Sequence, residues 1–234
     1  MRTPETPRGL GEIIITARPF DEYRAMFDLS DADILDGPIL DCPGGAGGFA
    51  AGVRAMGGDV TSVDPVYAMG RDALVARARD DTERGNRYVR DCPDLYVWGF
   101  FDDADDHRAR RLRGLDAFAA QYSGPDARHV AGAFPRLPFS DRSFRLVLSA
   151  HLLFTYPDHL GPDDHRRALV EMLRLARDEI RVFPLIDTTL QRYDGLDDIR
   201  RDLAAAGAQS EIRRVDYEFQ RGAHEMLVVQ PAAA

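Results

Sequence analysis

Pro38-Ile39-Leu40-Asp41-Cys42-Pro43-Gly44-Gly45-Ala46-Gly47-Gly48, followed shortly by Asp59-Val60-Thr61-Ser62-Val63-Asp64, decides the architecture. The first run is apolar up to an acid, then turns through glycines. The spacing predicts a buried strand over residues 38–42, a turn over 44–48 and a helix from Ala50 to Met56. A second strand then runs from Asp59 to Asp64 and is stopped by Pro65. Glycines in such a strand-to-helix turn let backbone approach a ligand where a Cβ would collide. Asp64, twenty-three residues after Asp41, ends the second strand with an acceptor-only carboxylate matched to two vicinal hydroxyls.

Outward from this unit the chain keeps alternating strand and helix. Phe144-Arg145-Leu146-Val147-Leu148-Ser149 is nearly continuous in apolar content, as for a central strand covered on both faces. Leu169, Met172, Leu173 and Ala176 carry the spacing of an amphipathic helix over 168–176. Glu179 to Leu185 reads as a further strand, and Leu196, Ile199 and Leu203 mark the next helix. Stacked units of this kind build a mostly parallel α/β sheet. Val215, Tyr217 and Phe219 alternate with polar neighbours, predicting an antiparallel strand that turns at Arg221-Gly222-Ala223 and pairs with Met226 to Val229. Residues 80–128, rich in Asp and Arg and containing Trp98, Phe100 and Phe101 before a helix ending at Tyr122, read as an insertion able to cap a pocket. Ala232 to Ala234 reads as a disordered tail. The whole of 1–234 is expected to form one domain.

Composition narrows the chemistry. All 30 basic residues are Arg, so Schiff-base formation with pyridoxal phosphate or substrate is excluded, as are lysine-dependent phosphate loops. Against 39 acidic residues they leave a formal charge of −9, which argues against nucleic-acid and anionic-membrane partners and favours a small molecule. Cys42 and Cys92 are too few for a disulfide framework, and Ile13 to Ile15 is too short for a signal or spanning segment. A reduced, cytoplasmic setting is the expectation.

The glycine turn and its acid point to an adenosine-containing cofactor, and two compete. Gly45-x-Gly47-x-x-Ala50 satisfies a dinucleotide fingerprint. However, Asp41 immediately before the turn, some forty residues ahead of the strand and the closing hairpin resemble class I S-adenosylmethionine (SAM) dependent methyltransferases. Asp41 to Gly47 matches that superfamily's Asp-x-Gly-x-Gly-x-Gly loop with Pro43 in place of the first glycine, and Arg136 to Ser149 resembles its approach to the fourth strand. Phe20 to Phe27, Ile39 to Gly45, His151 to Tyr156, Glu179 to Leu185 and Phe219 to Leu227 are similar to a bacterial group known only as SAM-dependent methyltransferases.

The resemblance implies a Rossmann-like, seven-stranded, mostly parallel sheet with helices on both faces and an antiparallel C-terminal hairpin. It also implies SAM as cofactor. Asp64 would hold the ribose diol; Asp41 and the loop residues Pro43, Gly44, Gly45 and Gly47 would border the amino-acid tail; Pro65, Phe134 and Ser149 would complete the site. Gly132-Ala133-Phe134 stands where the superfamily often has Gly-Asp-Ala, so stacking or backbone contacts replace an acid at adenine, unless Phe134 is simply core. A helix over about 18–30 would act as a lid, with Tyr23 or Arg18 reaching the cofactor carboxylate, or else only pack. Tyr23, Phe154 and Tyr156 are the rings available to a sulfonium.

His151 lies at the carboxyl edge of the fourth strand, where open α/β sheets bind ligands, and either accepts a proton or only braces its loop. His224 and Asp187 are weaker candidates. Asp102, Asp103, Asp105, Asp106 and His107, and also Asp163, Asp164 and His165, imitate metal clusters but read as loop charges or helix starts, so no metal is expected. The expected activity is methyl transfer to a small molecule, with His151 and Tyr156 as catalytic residues. The alternative is displacement of SAM's aminocarboxypropyl chain, by transfer or by cyclisation to azetidine-2-carboxylate, with release of methylthioadenosine. A non-catalytic SAM-binding module and a nicotinamide dehydrogenase follow.

Overall fold

The computed structural model describes residues 13–122, 124, 127–156 and 158–232. Ala233 and Ala234 of the expected tail lie outside them. Strands β1 (Ile39–Asp41), β2 (Val60–Val63), β3 (His129–Val130), β4 (Phe144–Ala150), β5 (Ala176–Phe183), β6 (Gln209–Arg214) and β7 (Glu225–Gln230) form one sheet in the order β3-β2-β1-β4-β5-β7-β6. Five strands pair in parallel and β7 runs antiparallel to both its neighbours. The crossing from β3 back through β2 and β1 to β4 makes β1/β4 the topological switch point, and ligands bind beyond the carboxyl ends of such strands.

Period-two side-chain alternation sends apolar residues to both faces. Ile39, Val60, Leu146, Leu148, Phe183 and Val228 face one core with α1 (Phe20–Phe27), α2 (Asp31–Leu35) and α3 (Phe49–Ala55). Leu40, Val63, Val147, Ile180, Val182, Leu227 and Val229 face the other, under α6 (Pro162–Leu175) and α7 (Leu196–Ala205). The two long helices α4 (Arg71–Asp91) and α5 (Ala104–Gln121) pack together beside the glycine turn, around Leu74, Ala78, Leu115 and Phe118. Among the described residues no helix is long and apolar enough to cross a membrane.

Three expectations are corrected. The outer hairpin strand is Gln209–Arg214, not 215–219. Val215, Tyr217 and Phe219 do alternate inward, but they lie in the loop after β6, where Val97 donates to the Phe219 carbonyl and Tyr96 bridges Gln220. Alternating burial therefore came from packing on the 96–101 segment, without a ladder. Second, the charged stretch from residue 80 continues a helix that starts at Arg71. Its inner face includes Asp81, Thr82 and Asn86, so hydrophobic periodicity hid it. Third, the helix read over 168–176 starts at Pro162, with Asp163 and Asp164 in its first turn, and ends where β5 begins at Ala176.

Candidate functional site

At the carboxyl ends of β1, β2 and β4 lies a cavity of about 410 Å³. Of the residues singled out from the sequence, Pro43, Gly45, Asp64, Pro65, Phe134, His151 and Tyr156 line it, and Cys42, Val66, Gly132, Leu153 and Leu160 add walls that the sequence reading did not assign to the site. Asp64 is anchored from behind. Its Oδ2 accepts the Gly45 N–H and its Oδ1 the Val66 N–H, each at 3.0 Å. Burial raises its carboxyl from the ordinary value, and these two bonds oppose the shift. Each oxygen keeps a lone pair for a ligand.

Five expected residues do not line this cavity. Asp41 lies beneath the turn, where the Tyr23 hydroxyl donates to its Oδ1 at 3.2 Å and the Ser62 hydroxyl to its Oδ2 at 3.4 Å. Burial pushes its carboxyl up to about 8, so it is largely protonated at neutral pH. Tyr23 stacks on Phe49, with ring centroids 4.6 Å apart. Gly44 abuts Tyr67 and Ser62, and Ser149 is fully enclosed between strands. Gly47 and also Gly45, which does line the cavity, meet the chain itself. A Cβ on Gly45, whose φ is +53°, would lie 2.8 Å from the Thr16 carbonyl oxygen, and one on Gly47 would lie 2.9 Å from that of Arg18. Those two carbonyls accept the Ala46 N–H at 3.0 Å and the Gly48 N–H at 2.8 Å. Residues 13–18 thus form a strap over the glycine turn, and the close approach that the glycines permit is to the strap's backbone.

The strap, His151 and Tyr156 separate this cavity from a second chamber of about 100 Å³. Residues from α4, α5 and the loop after β6 enclose it, among them Thr82, Val89, His107, Arg111, Tyr217 and Phe219. Behind its wall Glu22 Oε1 accepts from Arg111 Nη2 at 2.7 Å and from the Tyr217 hydroxyl at 2.8 Å, with Arg18 Nε at 3.5 Å. Arg111 Nε donates to His107 Nε2 at 3.2 Å. Burial, reinforced by Arg111 and Arg18, holds the His107 imidazole down to about 2. Burial and the same two guanidiniums drive His151 well below its ordinary value. Burial raises Tyr156. Both residues between the cavities are therefore neutral near pH 7. His151 also has a φ of +50°, a left-handed conformation that costs energy in a non-glycine residue and concentrates at functional sites.

The remaining candidates have local duties. Asp187 Oδ1 accepts the Thr189 and Gln191 N–H groups of its own loop, and His224 faces Glu218. Asp103 caps α5, Asp164, which also lines the larger cavity, accepts the Gly161 N–H at the start of α6, and Phe154 packs on His165 and Tyr193.

No family model matches the chain. An uncharacterized protein of Methanocaldococcus jannaschii is 27% identical over 222 residues, covering 94% of this chain and 97% of that one. A candidate RNA methyltransferase of Pyrococcus horikoshii superposes with a TM-score of 0.50 at 10% identity, over 91% of this chain and 85% of that one. Magnesium protoporphyrin IX methyltransferase of Synechocystis, solved with SAM, gives 0.48 at 10% identity over 91% of each chain. The likeness is one of architecture: the chain has the class I methyltransferase fold.

Proposed function

We propose that this protein is a SAM-dependent methyltransferase acting on a small-molecule acceptor. The observation that carries the reading is the pair of adjoining cavities, the larger with Asp64 and the smaller closed by residues from α4 and α5, meeting at His151 and Tyr156. The larger is of nucleoside size and, besides the Asp164–Arg167 ion pair at its wall, offers apolar walls for a base and the Asp64 carboxylate for a diol, which suits the nucleoside half of SAM. When bound, SAM supplies a carbon activated by a sulfonium. Asp64 would hold the ribose, and Phe134 and Pro65 would flank the adenine. His151 and Tyr156 would orient the acceptor, since a neutral imidazole both accepts and donates while a protonated phenol donates. Holding acceptor and donor in line supplies much of such a rate.

The chamber's size supports a small acceptor. A water needs roughly 10–15 Å³ on this measure, so about 100 Å³ holds several non-hydrogen atoms. An acidic surface, with a formal charge of −9, disfavours contacts to a phosphate backbone. In this reading the strap covers the cofactor, and α4, α5 and the loop after β6 close the acceptor chamber, all within one domain. The same small volume also favours a second reading, in which the occupant is SAM's own four-carbon chain and the bond broken joins that chain to sulfur. Incubation with SAM, with and without candidate acceptors, separates the two by mass spectrometry. S-adenosylhomocysteine formed only with an acceptor is the expected product. Methylthioadenosine formed without one would replace the first reading by the second.

A further inference from the structure

The second chamber is built around more positive charge than its own carboxylates balance. Two guanidiniums, Arg18 and Arg111, line it, both only 7% exposed. Glu22 is shared between them. Asp81, which also lines the chamber, already accepts from Arg77 and from the Ile15 N–H, and pairs with Arg84. Nothing among the described residues is bonded to Arg111 Nη1, whose two N–H groups are buried. The Thr155 hydroxyl and His151 Nδ1, on residues that line the same chamber, are buried without partners as well. Buried guanidinium N–H groups that have neither water nor an acceptor are costly, and a planar carboxylate matches their fork geometry. The histidines add no competing cation. His107 and His151 are held neutral by burial and by the two arginines.

We infer that the chamber is a subsite for a small carboxylate, recognised by Arg111 and Arg18 with the Thr155 hydroxyl as a further donor. The inference deepens the functional reading above, and rests on it only for what occupies the neighbouring cavity. The carboxylate has two possible sources, that of the acceptor and that of SAM itself, which differ in whether the nucleoside carries it.

Two comparisons on the wild-type protein decide the matter, and variants locate it. Acetate and propionate are tested against acetamide for a shift in the thermal midpoint, with and without S-adenosylhomocysteine. Affinities for SAM and decarboxylated SAM are measured by calorimetry. Stabilisation by the acids but not the amide, with or without nucleoside, supports the subsite, and its persistence with S-adenosylhomocysteine bound assigns it to an acceptor. At least tenfold tighter binding of SAM than of its decarboxylated form assigns it to the cofactor's own tail. Arg18→Gln leaves Glu22 and Arg111 as a balanced pair, and Glu22→Gln combined with Arg111→Gln removes both members of the other pair. Either discrimination should fall at least tenfold in both variants. If the wild type discriminates in neither comparison, or the variants discriminate undiminished, the subsite does not exist. Absence of nucleoside binding in the wild type would overturn the SAM reading alone, because the acetate comparison without nucleoside still judges the chamber.

Discussion

The Tyr23 hydroxyl donates to Asp41 Oδ1 at 3.2 Å beneath the glycine turn, tying α1 to the end of β1 on the side away from the larger cavity. The acid before the turn is thus a buried carboxylic acid, and it couples stability to pH. Its pKa rises from 3.8 to about 8 on folding, burial being the main cause. The folded state therefore holds the proton more tightly. The contribution is fully present below pH about 4 and is lost as the pH rises through about 8. Asp41→Asn, nearly isosteric and neutral, should flatten this slope and gain on the wild type by up to several kcal/mol at alkaline pH. Urea midpoints of both proteins from acid to alkaline pH test it. A wild type that gains stability relative to Asp41→Asn as the pH rises would contradict the assignment.

Asp64→Ala should abolish SAM binding detectable by calorimetry, since a hydrogen bond to a charged group contributes about 1.5–3 kcal/mol and the diol makes two. The variant also loses the acceptors of the Gly45 and Val66 N–H groups, so its thermal midpoint must be measured alongside. Folded protein with wild-type affinity would remove Asp64 from the cofactor site.

Gly45→Ala puts a Cβ 2.8 Å from the Thr16 carbonyl oxygen and asks a non-glycine residue for a φ of +53°. A cost of about 1–3 kcal/mol is expected. Limited proteolysis should show the strap cut earlier than in the wild type. Unchanged stability together with unchanged cleavage would mean that the turn and the strap do not touch.

His151 should leave no mark on the rate profile near pH 6.5, because burial and the two arginines hold its imidazole well below that range. Tyr156→Phe should lower kcat about 10- to 100-fold while leaving nucleoside affinity nearly unchanged, as loss of one orienting hydrogen bond of about 1–3 kcal/mol. A break near neutral pH that disappears in His151→Gln would instead make the imidazole a proton acceptor.

The parts of this molecule that a sequence displays are those its neighbours in the chain determine. Pro38 to Gly48 and Asp59 to Asp64 announce a strand, a turn and an acid because apolar runs and glycines act locally. Helix α4 was invisible for the opposite reason, its buried face carrying Asp81, Thr82 and Asn86. Val215 to Phe219 alternated as a strand does while packing as a loop. The cationic chamber was beyond reach altogether. Arg111 and Tyr217 meet Glu22 from 89 and 195 residues away, and no local pattern links an acid in one helix to a base in another. The glycine turn was legible as a place of close approach, but what approaches it, Thr16 and Arg18, depends on tertiary structure.

The strap's two hydrogen bonds give the protein a gauge of its own state. The amide protons of Ala46 and Gly48 are held by the carbonyls of Thr16 and Arg18, and exchange with solvent requires those bonds to open. Their deuterium uptake therefore measures how often residues 13–18 lift from the turn, with no ligand added and no side chain altered. Comparing that uptake between free and nucleoside-loaded protein would tell whether filling the larger cavity seats the strap, at two peptide groups whose positions in the chain are already known.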